Sequence, residues 1–237
     1  MQLKDGPNNE GDLIEAFQAF DKAGNGFIMV DDMKHVLTSM GTDRLTEEEA
    51  DMMLKIADSI TKQGGIALFN TAEESLFQTS MTAKRLRLKN GFLTGNTDDV
   101  TQLLEKSKAI IEANPGKQFC LIVDSLQCLD DGAYSSGKIT SGTAIRCLQH
   151  ITDFCKETGA IGIIINQVNK SGKMAGSNKL KHMVDSMMHL SVEEKDEDFK
   201  GCRILETKKN RFGGCGHMFY LALRKTGFRE VAKIEEF

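Results

Sequence analysis

The sequence has no long hydrophobic run and no closely spaced pair of cysteines. No segment approaches the roughly 18 consecutive apolar residues of a membrane-spanning helix, and the polar start MQLKDGPNNEGD has no signal-peptide core. We therefore expect a protein of the cytoplasm or an organelle that is neither secreted nor bound to a membrane. None of the six cysteines belongs to a CxxC pair, so we expect reduced, mostly buried thiols, and neither disulfides nor a zinc site.

The composition is that of a packed globular protein, and its charge is unevenly distributed. The chain has 237 residues, of which 40% are hydrophobic and 27% charged. Residues 1–63 contain 13 acidic and 6 basic residues, a net charge of −7, whereas the remainder contains 21 acidic and 24 basic residues. This division predicts two units, residues 1–63 and residues 64–237. The second has the slightly basic balance of a domain that faces nucleic acid.

Residues 1–63 show helical periodicity on both sides of a glycine-containing loop. Apolar residues recur at helical spacing in 13–20 and again in 33–40, and Thr46 can cap a third helix. The loop DKAGNGFIMVDD, residues 21–32, resembles the loop of an EF-hand, and its flanks resemble calmodulin. We therefore predict a small α-helical, EF-hand-like segment at the N-terminus.

The loop departs from the EF-hand pattern at two positions. The residues at its candidate calcium-binding positions are Asp21, Asn25, Phe27 through its carbonyl, and Asp32. Ala23 supplies no oxygen at the third position, and Asp32 is shorter than the glutamate usual at the twelfth. These changes predict calcium affinity at or beyond the weak, millimolar end of the EF-hand range. A purely structural helix-loop-helix and a weak calcium site both stay open.

After Gly65, short apolar strands alternate with helices. The predicted strands are Ile66–Asn70, Phe119–Asp124 and Ala160–Asn166, and the predicted helices are 71–88, one capped by Thr97, and one that includes Ala144–Cys155. Near-continuous apolar strands separated by helices are typical of a parallel sheet covered on both faces. The sequence therefore predicts an α/β fold with a mostly parallel sheet flanked by helices.

Four separated motifs in this region occur in a recognisable order. They are TAEES (71–75), LIVDSLQ (121–127), NQVNKSGKMAG with KLKHMVD (166–185), and KNRFG (209–213). Together they resemble the RadA/Sms family of DNA repair and recombination ATPases, whose core has the RecA fold. The resemblance extends from about Gly65 to the end of the chain.

The resemblance implies catalytic and nucleotide-binding roles for residues at the strand ends. Glu73, with Glu74 beside it, would activate the water that attacks the γ-phosphate of ATP. Asp124 and Ser125 would bind nucleotide and Mg²⁺, because Asp124 leaves its strand at the carboxyl end, where open α/β sheets bind ligands. Gln167 would sense the γ-phosphate. Structural interpretations stay open, since an aspartate can cap a loop and a helix dipole favours glutamates in its first turn.

The resemblance also implies partners. Lys170, Lys173 and Lys179 lie in a basic, glycine-containing loop suited to DNA phosphates, although a solvated loop can have this composition too. Lys209 and Arg211 correspond to a pair that reaches the nucleotide of a neighbouring subunit. The implied partners are single-stranded or branched DNA and a homo-oligomeric ring, or a mixed ring with an intact relative.

The sequence contains no phosphate-binding P-loop, GxxxxGK followed by Ser or Thr, in front of TAEES. The segment Gly132–Thr140 has the glycine and lysine spacing but isoleucine at the Ser/Thr position, and it follows LIVDSLQ. Three functions therefore stay open: a repair protein with DNA-dependent ATPase activity, a non-catalytic pseudo-ATPase that binds DNA or joins a ring, and a calcium-binding regulatory module.

Overall fold

The structure of the chain is a computed structural model that describes residues 47–134, 140–166, 179–224 and 227–234. The chain divides into two compact units, Met1–Thr46 and Glu47–Phe237. The predicted calcium ligands of residues 21–32, the sensor Gln167, and the loop lysines Lys170 and Lys173 all lie outside the described residues.

The described residues form five α-helices and two four-stranded sheets. The helices are α1 (Glu47–Lys62), α2 (Leu76–Arg85), α3 (Val100–Glu112), α4 (Ser141–Thr158) and α5 (Lys179–Met183). The strands are β1 (Ile66–Thr71), β2 (Leu93–Gly95), β3 (Phe119–Asp124), β4 (Ile161–Ile164), β5 (Ser186–Val192), β6 (Arg203–Asn210), β7 (Met218–Arg224) and β8 (Gly227–Ile234). The first sheet is parallel, in the order β2-β1-β3-β4, and the second is antiparallel, in the order β5-β6-β7-β8.

Strands β1 and β3 lie at the centre of the parallel sheet and are in register from end to end. Ile66 pairs with Phe119, and Thr71 pairs with Asp124. All six residues of β3 are buried, because helices cover both faces of the sheet. The predicted α/β fold with a parallel sheet flanked by helices is confirmed, and the carboxyl ends of β1 and β3 meet at one edge.

Two apolar clusters fill the two faces of this sheet. On one face, α1 and the C-cap residue of α2, Leu86, pack against β1 and β3 through a cluster made of Leu54, Ala57, Ala67, Phe69, Leu86, Cys120 and Ile122. On the other face, α3, α4 and α5 form a larger cluster with the alternate side chains of β1 and β3. The helices contribute Leu103, Ile151 and Leu180, and β3 contributes Leu121 and Val123. Burial of these side chains supplies the main stabilising free energy of the unit.

Polar contacts also attach helix α1 to this unit. Arg85 of α2 forms a bidentate ion pair with Asp51, in which Nη1 donates to Oδ2 at 2.9 Å. Asp58 accepts backbone N–H bonds from Lys89 and Asn90 at 3.1 and 2.8 Å. The compact unit therefore begins at α1, a helix that the charge distribution had grouped with the N-terminal segment.

Side-chain caps place the helix starts later than the periodicity predicts. Helix α2 starts at Leu76 because Ser75 and Gln78 form a capping box, so the predicted helix 71–88 is longer than the observed one. Asp99, and not Thr97, caps α3 by accepting from the Gln102 N–H.

The antiparallel sheet follows the parallel one in the chain, and helix α1 contacts both. Strand β8 packs against α1, where the side chain of Lys55 lies over Gly227. Among the described residues, no strand of one sheet is hydrogen-bonded to a strand of the other.

The six cysteines are free, as predicted, but only Cys120 and Cys147 are buried. Cys128, Cys155 and Cys202 are half-buried and Cys215 is exposed. Among the described helices, none combines the length and the apolar character needed to cross a bilayer.

Candidate functional site

The carboxyl edge of the parallel sheet brings two predicted site residues together. Thr71 ends β1 beside Asp124, which ends β3, and the Ala72 N–H donates to the Asp124 carbonyl at 3.1 Å. Asp124 is buried, with 2% of its surface exposed, whereas Glu73 follows β1 on the surface. The two carboxylates thus belong to adjacent strand ends at one edge, which is the arrangement predicted for them.

Two neutral donors hold the Glu73 carboxylate. The Ser125 hydroxyl donates to Glu73 Oε1 at 2.5 Å, and the Cys128 thiol donates to the same oxygen at 3.1 Å. Ser125 is fully buried, after a cis peptide bond with Asp124. Burial, reinforced by the hydrogen bond to Glu73, raises the pKa of the Cys128 thiol to about 11. The thiol therefore remains a protonated donor at neutral pH and fixes the orientation of Glu73.

Glu74 lies in the tight turn between β1 and α2. Its backbone N–H donates to the Thr71 hydroxyl at 3.0 Å, and the next residue, Ser75, caps α2. Both Glu73 and Glu74 therefore precede the first turn of α2, a position at which the helix dipole favours negative charge.

The end of β4 joins the same edge through side-chain amides. Gln127 donates from Nε2 to Asn166 Oδ1 at 2.7 Å, and the Leu126 N–H donates to the Ile165 carbonyl at 2.9 Å. Asn166 is the residue immediately before Gln167. The structure thus brings the neighbour of the predicted sensor to the edge that holds Glu73 and Asp124.

The two predicted trans-acting cations contact residues of their own chain. Lys209 Nζ donates to the carbonyls of Lys181 and Val184 at 2.7 and 2.6 Å, which satisfies acceptors at the end of α5. Arg211 forms an ion pair with Asp185 at 2.7 Å, and the Arg211 side chain is 59% exposed. Both cations therefore lie beside the turn between α5 and β5.

The predicted DNA-contacting residue Lys179 is exposed at the start of α5. This five-residue helix carries two further basic residues, Lys181 and His182, in its last turn. The described part of the predicted DNA-binding segment is therefore a short, basic helix on the surface.

Sequence reasoning missed three residues of the site: Gln127, Cys128 and Asn166. In the sequence, only their positions beside predicted site residues could have indicated a role. Gln127 and Cys128 lie within one turn of Ser125, in a short 3-10 helix, Leu126–Cys128. Asn166 lies at the end of a predicted strand next to a predicted site residue.

The residues at this edge fit a magnesium ion better than a triphosphate. Asp124 and Glu73 offer the hard oxygen ligands that Mg²⁺ prefers, with water and phosphate oxygens completing its shell. No group of three acidic, histidine or cysteine side chains in the described residues could hold a metal by itself. The sequence before β1 contains no P-loop, whose backbone amides and lysine would hold a triphosphate.

Comparison with curated proteins gives similarity to DNA repair proteins over most of the chain. The DNA repair protein RadA of Aquifex aeolicus is 28% identical over 225 residues, which cover 93% of this chain and 46% of that protein. RadA of Rickettsia conorii is 30% identical over 189 residues, covering 79% of this chain and 41% of that protein. The chain therefore spans less than half the length of these relatives. The EF-hand domain family matches residues 12–41, which contain the predicted loop.

Solved structures give the fold. The solved ATPase domain of another protein matches 97% of this chain over 100% of its own length, with a TM-score of 0.68 and 14% identity. A DnaB-like replicative helicase, solved in a study of its interactions with primase, matches 78% of this chain with a TM-score of 0.66 and 14% identity. The resemblance predicted from the motifs is confirmed: this chain has a RecA-like α/β core and is similar in sequence to the RadA DNA repair proteins.

Proposed function

We propose that this chain acts in DNA repair and recombination as a RadA-type, DNA-binding subunit. The observation that carries the proposal is the meeting of Glu73 and Asp124 at one carboxyl edge, on a sheet of the RecA-like type. Similarity in sequence to RadA proteins supports a role in DNA repair. The slightly basic balance of residues 64–237, with Lys179 and the loop lysines Lys170 and Lys173, supports DNA as the partner.

In the catalytic form of this proposal, each edge residue has a role. Glu73 would orient and deprotonate a water molecule, held by Ser125 and Cys128. Asp124 would contribute to a Mg²⁺ site, and Gln167 would respond to the bound ligand. When bound, Mg²⁺ would neutralise phosphate charge. Lys209 and Arg211 would act on a neighbouring subunit in a ring.

The non-catalytic form is favoured by the absence of a P-loop from the sequence. Without the backbone amides and the lysine of that loop, the β- and γ-phosphates of ATP have no binding group before TAEES. We therefore favour a pseudo-ATPase that binds DNA, alone or in a ring with an intact relative. That relative would provide the phosphate-binding loop.

The two forms differ in nucleotide binding and turnover. We expect the full chain to bind a fluorescently labelled single-stranded oligonucleotide, with little affinity for an ATP analogue in the presence of Mg²⁺. Phosphate release from ATP should then be at background level, with or without DNA. Tight ATP binding and DNA-stimulated release would instead support the catalytic form.

Matched variants make the test specific to the carboxyl edge. If turnover occurs, Glu73→Gln and Asp124→Asn should abolish it. The controls Glu105→Gln, at an exposed residue, and Asp153→Asn, at a side chain that is 50% exposed, should retain it. An unchanged rate in both edge variants would exclude these residues from catalysis. Failure of the full chain to bind DNA at low salt, where phosphate contacts are strongest, would contradict both forms.

A calcium-binding role remains a separate proposal for the segment that matches the EF-hand domain family. Asp21, Asn25, the Phe27 carbonyl and Asp32 would supply the ligands, and Ala23 would supply none. We expect titration calorimetry with Ca²⁺ to give no binding heat below millimolar concentration. Sub-millimolar binding that disappears in Asp21→Ala would contradict this expectation.

A further inference from the structure

One stretch of this acidic chain carries charge of a single, positive sign. Residues 76–97, from the start of α2 to just beyond β2, contain four basic residues and no acidic residue, whereas the whole chain has a net charge of −4. The four cations are Lys84, Arg85, Arg87 and Lys89. Arg85 is held by Asp51, and the other three are exposed. We call residues 84–89 the basic turn.

The basic turn holds an arginine in a backbone conformation that favours glycine. Among the described residues, Arg87 is the one non-glycine residue with a positive φ, of 57°. The Arg87 N–H donates to the Lys84 carbonyl and the Leu88 N–H to the Ala83 carbonyl, each at 3.1 Å, which is the Schellman motif of helix ends. Glycine is the usual residue at this position because it has no Cβ. Local stability therefore does not explain the arginine, and its exposure indicates a role at the surface.

An apolar surface and a cavity lie beside the basic turn. The exposed apolar residues of α2 are Leu76, Phe77 and Met81, at 41%, 74% and 47%. A cavity of about 260 Å³ opens between α2 and β2, and its described lining, which includes Thr79, Leu88 and Phe92, has no charged side chain. This volume lies below the roughly 300–1,000 Å³ of small-molecule pockets, so the cavity suits a single side chain better than a free ligand.

Strand β2 presents backbone groups beside the same cavity. Among the described strands it pairs with β1 alone, so one row of its N–H and C=O groups faces away from the sheet. Leu93 of β2 is 44% exposed, and its neighbours Phe92 and Thr94 line the cavity. An extended peptide can add to such an edge through main-chain hydrogen bonds, while a pocket beside the edge selects one of its side chains.

We infer that this surface binds an acidic peptide segment of another protein, extended along β2, with one large apolar side chain in the cavity. The carboxylates of the segment lie against the basic turn, since Glu73 and Glu74 occupy the opposite end of α2. The uncharged cavity wall and the strand edge favour a peptide over nucleic acid. The inference goes beyond the proposed function and requires neither DNA binding nor ATP turnover.

Fluorescence anisotropy of the full chain with a labelled synthetic peptide tests this surface. The probe is a peptide of aspartates and serines that carries a single phenylalanine. We expect binding that weakens as salt rises, because exposed charges are screened. Affinity should fall at least about tenfold when serine replaces the phenylalanine or asparagine replaces the aspartates. Absence of binding at about 0.5 mM chain in low salt, or equal binding of the asparagine peptide, would overturn the inference.

Arg87→Gly separates a binding role from a structural one. Glycine suits the left-handed position, so the variant should unfold at the same temperature as the parent chain or a higher one. Its affinity for the acidic peptide should fall about threefold, because the surface has lost one cation. Lys108→Ala is the matched control, since Lys108 is exposed on α3, which packs on the other face of the sheet. Peptide affinity that is unchanged in Arg87→Gly, or equally reduced in the control, contradicts the inference.

The cavity and the rival partner have their own measurements. Ser80 is exposed on α2 and lines the cavity, so Ser80→Leu should fill it and weaken the peptide at least about fivefold. Met188→Leu, at a side chain 60% exposed on β5, should leave affinity unchanged. An equimolar single-stranded oligonucleotide should not displace the peptide. If it does, and Arg87→Gly weakens both ligands alike, the surface binds nucleic acid and the peptide inference is wrong, while the proposed function stands.

Discussion

At the scale of single residues, burial raises the pKa of three thiols. Burial raises the pKa of Cys120 and of Cys147 to about 12, and that of Cys128 to about 11. For Cys147, the nearby carboxylates of Asp131 and Asp130 add to the effect of burial. These thiols remain protonated in the folded chain at a pH where an unfolded thiol ionises.

The folded chain should therefore lose stability in alkaline solution. Above about pH 9 the unfolded chain releases thiol protons that the folded chain retains, so the free energy of unfolding falls as pH rises. Each such thiol contributes a slope of about 1.4 kcal/mol per pH unit until its folded pKa is reached. Urea unfolding between about pH 8.5 and 10.5, a range that starts at the pKa of an unfolded thiol, measures this slope.

A pair of alanine variants isolates the contribution of one buried thiol. Cys147→Ala should reduce the alkaline slope by about 1.4 kcal/mol per pH unit relative to the parent chain. Cys215→Ala removes no buried group and should leave the slope unchanged. Equal slopes in the Cys147 variant and the parent chain would show that this thiol ionises alike in the folded and unfolded states.

Part of the candidate site could be predicted from sequence because it lies at strand ends. The apolar run Phe119–Asp124 places Asp124 at a carboxyl edge, and the strand before Glu73 does the same for that residue. The thiol of Cys128 could not be assigned to the site in this way, because its contact with Glu73 joins residues 55 positions apart. Such a contact exists only after β1 and β3 pair.

At the scale of elements, helix α1 depends on a buried ion pair. The Asp51 side chain is 3% exposed and its partner Arg85 is 34% exposed. Removal of Asp51 leaves a partly buried guanidinium without its counter-ion.

Asp51→Asn should therefore lower the free energy of unfolding by about 3 kcal/mol, since the remaining guanidinium is only partly hydrated. Chemical denaturation at pH 7 measures this change. Asp153→Asn provides the control, because Asp153 faces Lys156 at 3.9 Å with its side chain 50% exposed. The control should change stability by less than about 0.5 kcal/mol. Similar effects of the two substitutions would contradict a specific role for the buried pair.

Elements with strong periodicity could be predicted, whereas elements without an apolar run could not. Strand β3 matches its prediction residue for residue. Strand β2 has three residues, and its first two are exposed, so it has no hydrophobic signal. In β6, only Thr207 is buried, and its stability depends on pairing with β5 and β7. The start of α3 was displaced because the buried Asn70 holds the backbone of Thr97 outside the helix.

At the scale of the whole molecule, the boundary of the second unit is testable. Helix α1 covers one face of the parallel sheet with Leu54 and Ala57. A fragment of residues 47–237 keeps this helix, whereas a fragment of residues 64–237 exposes Phe69 and Ile122 to water.

We expect the fragment 47–237 to unfold cooperatively and the fragment 64–237 to aggregate or to lack a cooperative transition. The reason is that large apolar core residues lose their cover in the shorter fragment. Calorimetry and dye binding to exposed apolar surface measure the difference. Cooperative unfolding of the shorter fragment would place the boundary at residue 64, as the charge distribution indicates.

One contact extends the role of α1 beyond the core that it covers. Lys55 lies over Gly227 of β8, on the side of the helix that reaches the antiparallel sheet. The positive φ of 90° at Gly227 already favours glycine there. Helix α1 therefore couples the two sheets, so a displacement of this helix would act on β8 as well as on the parallel sheet.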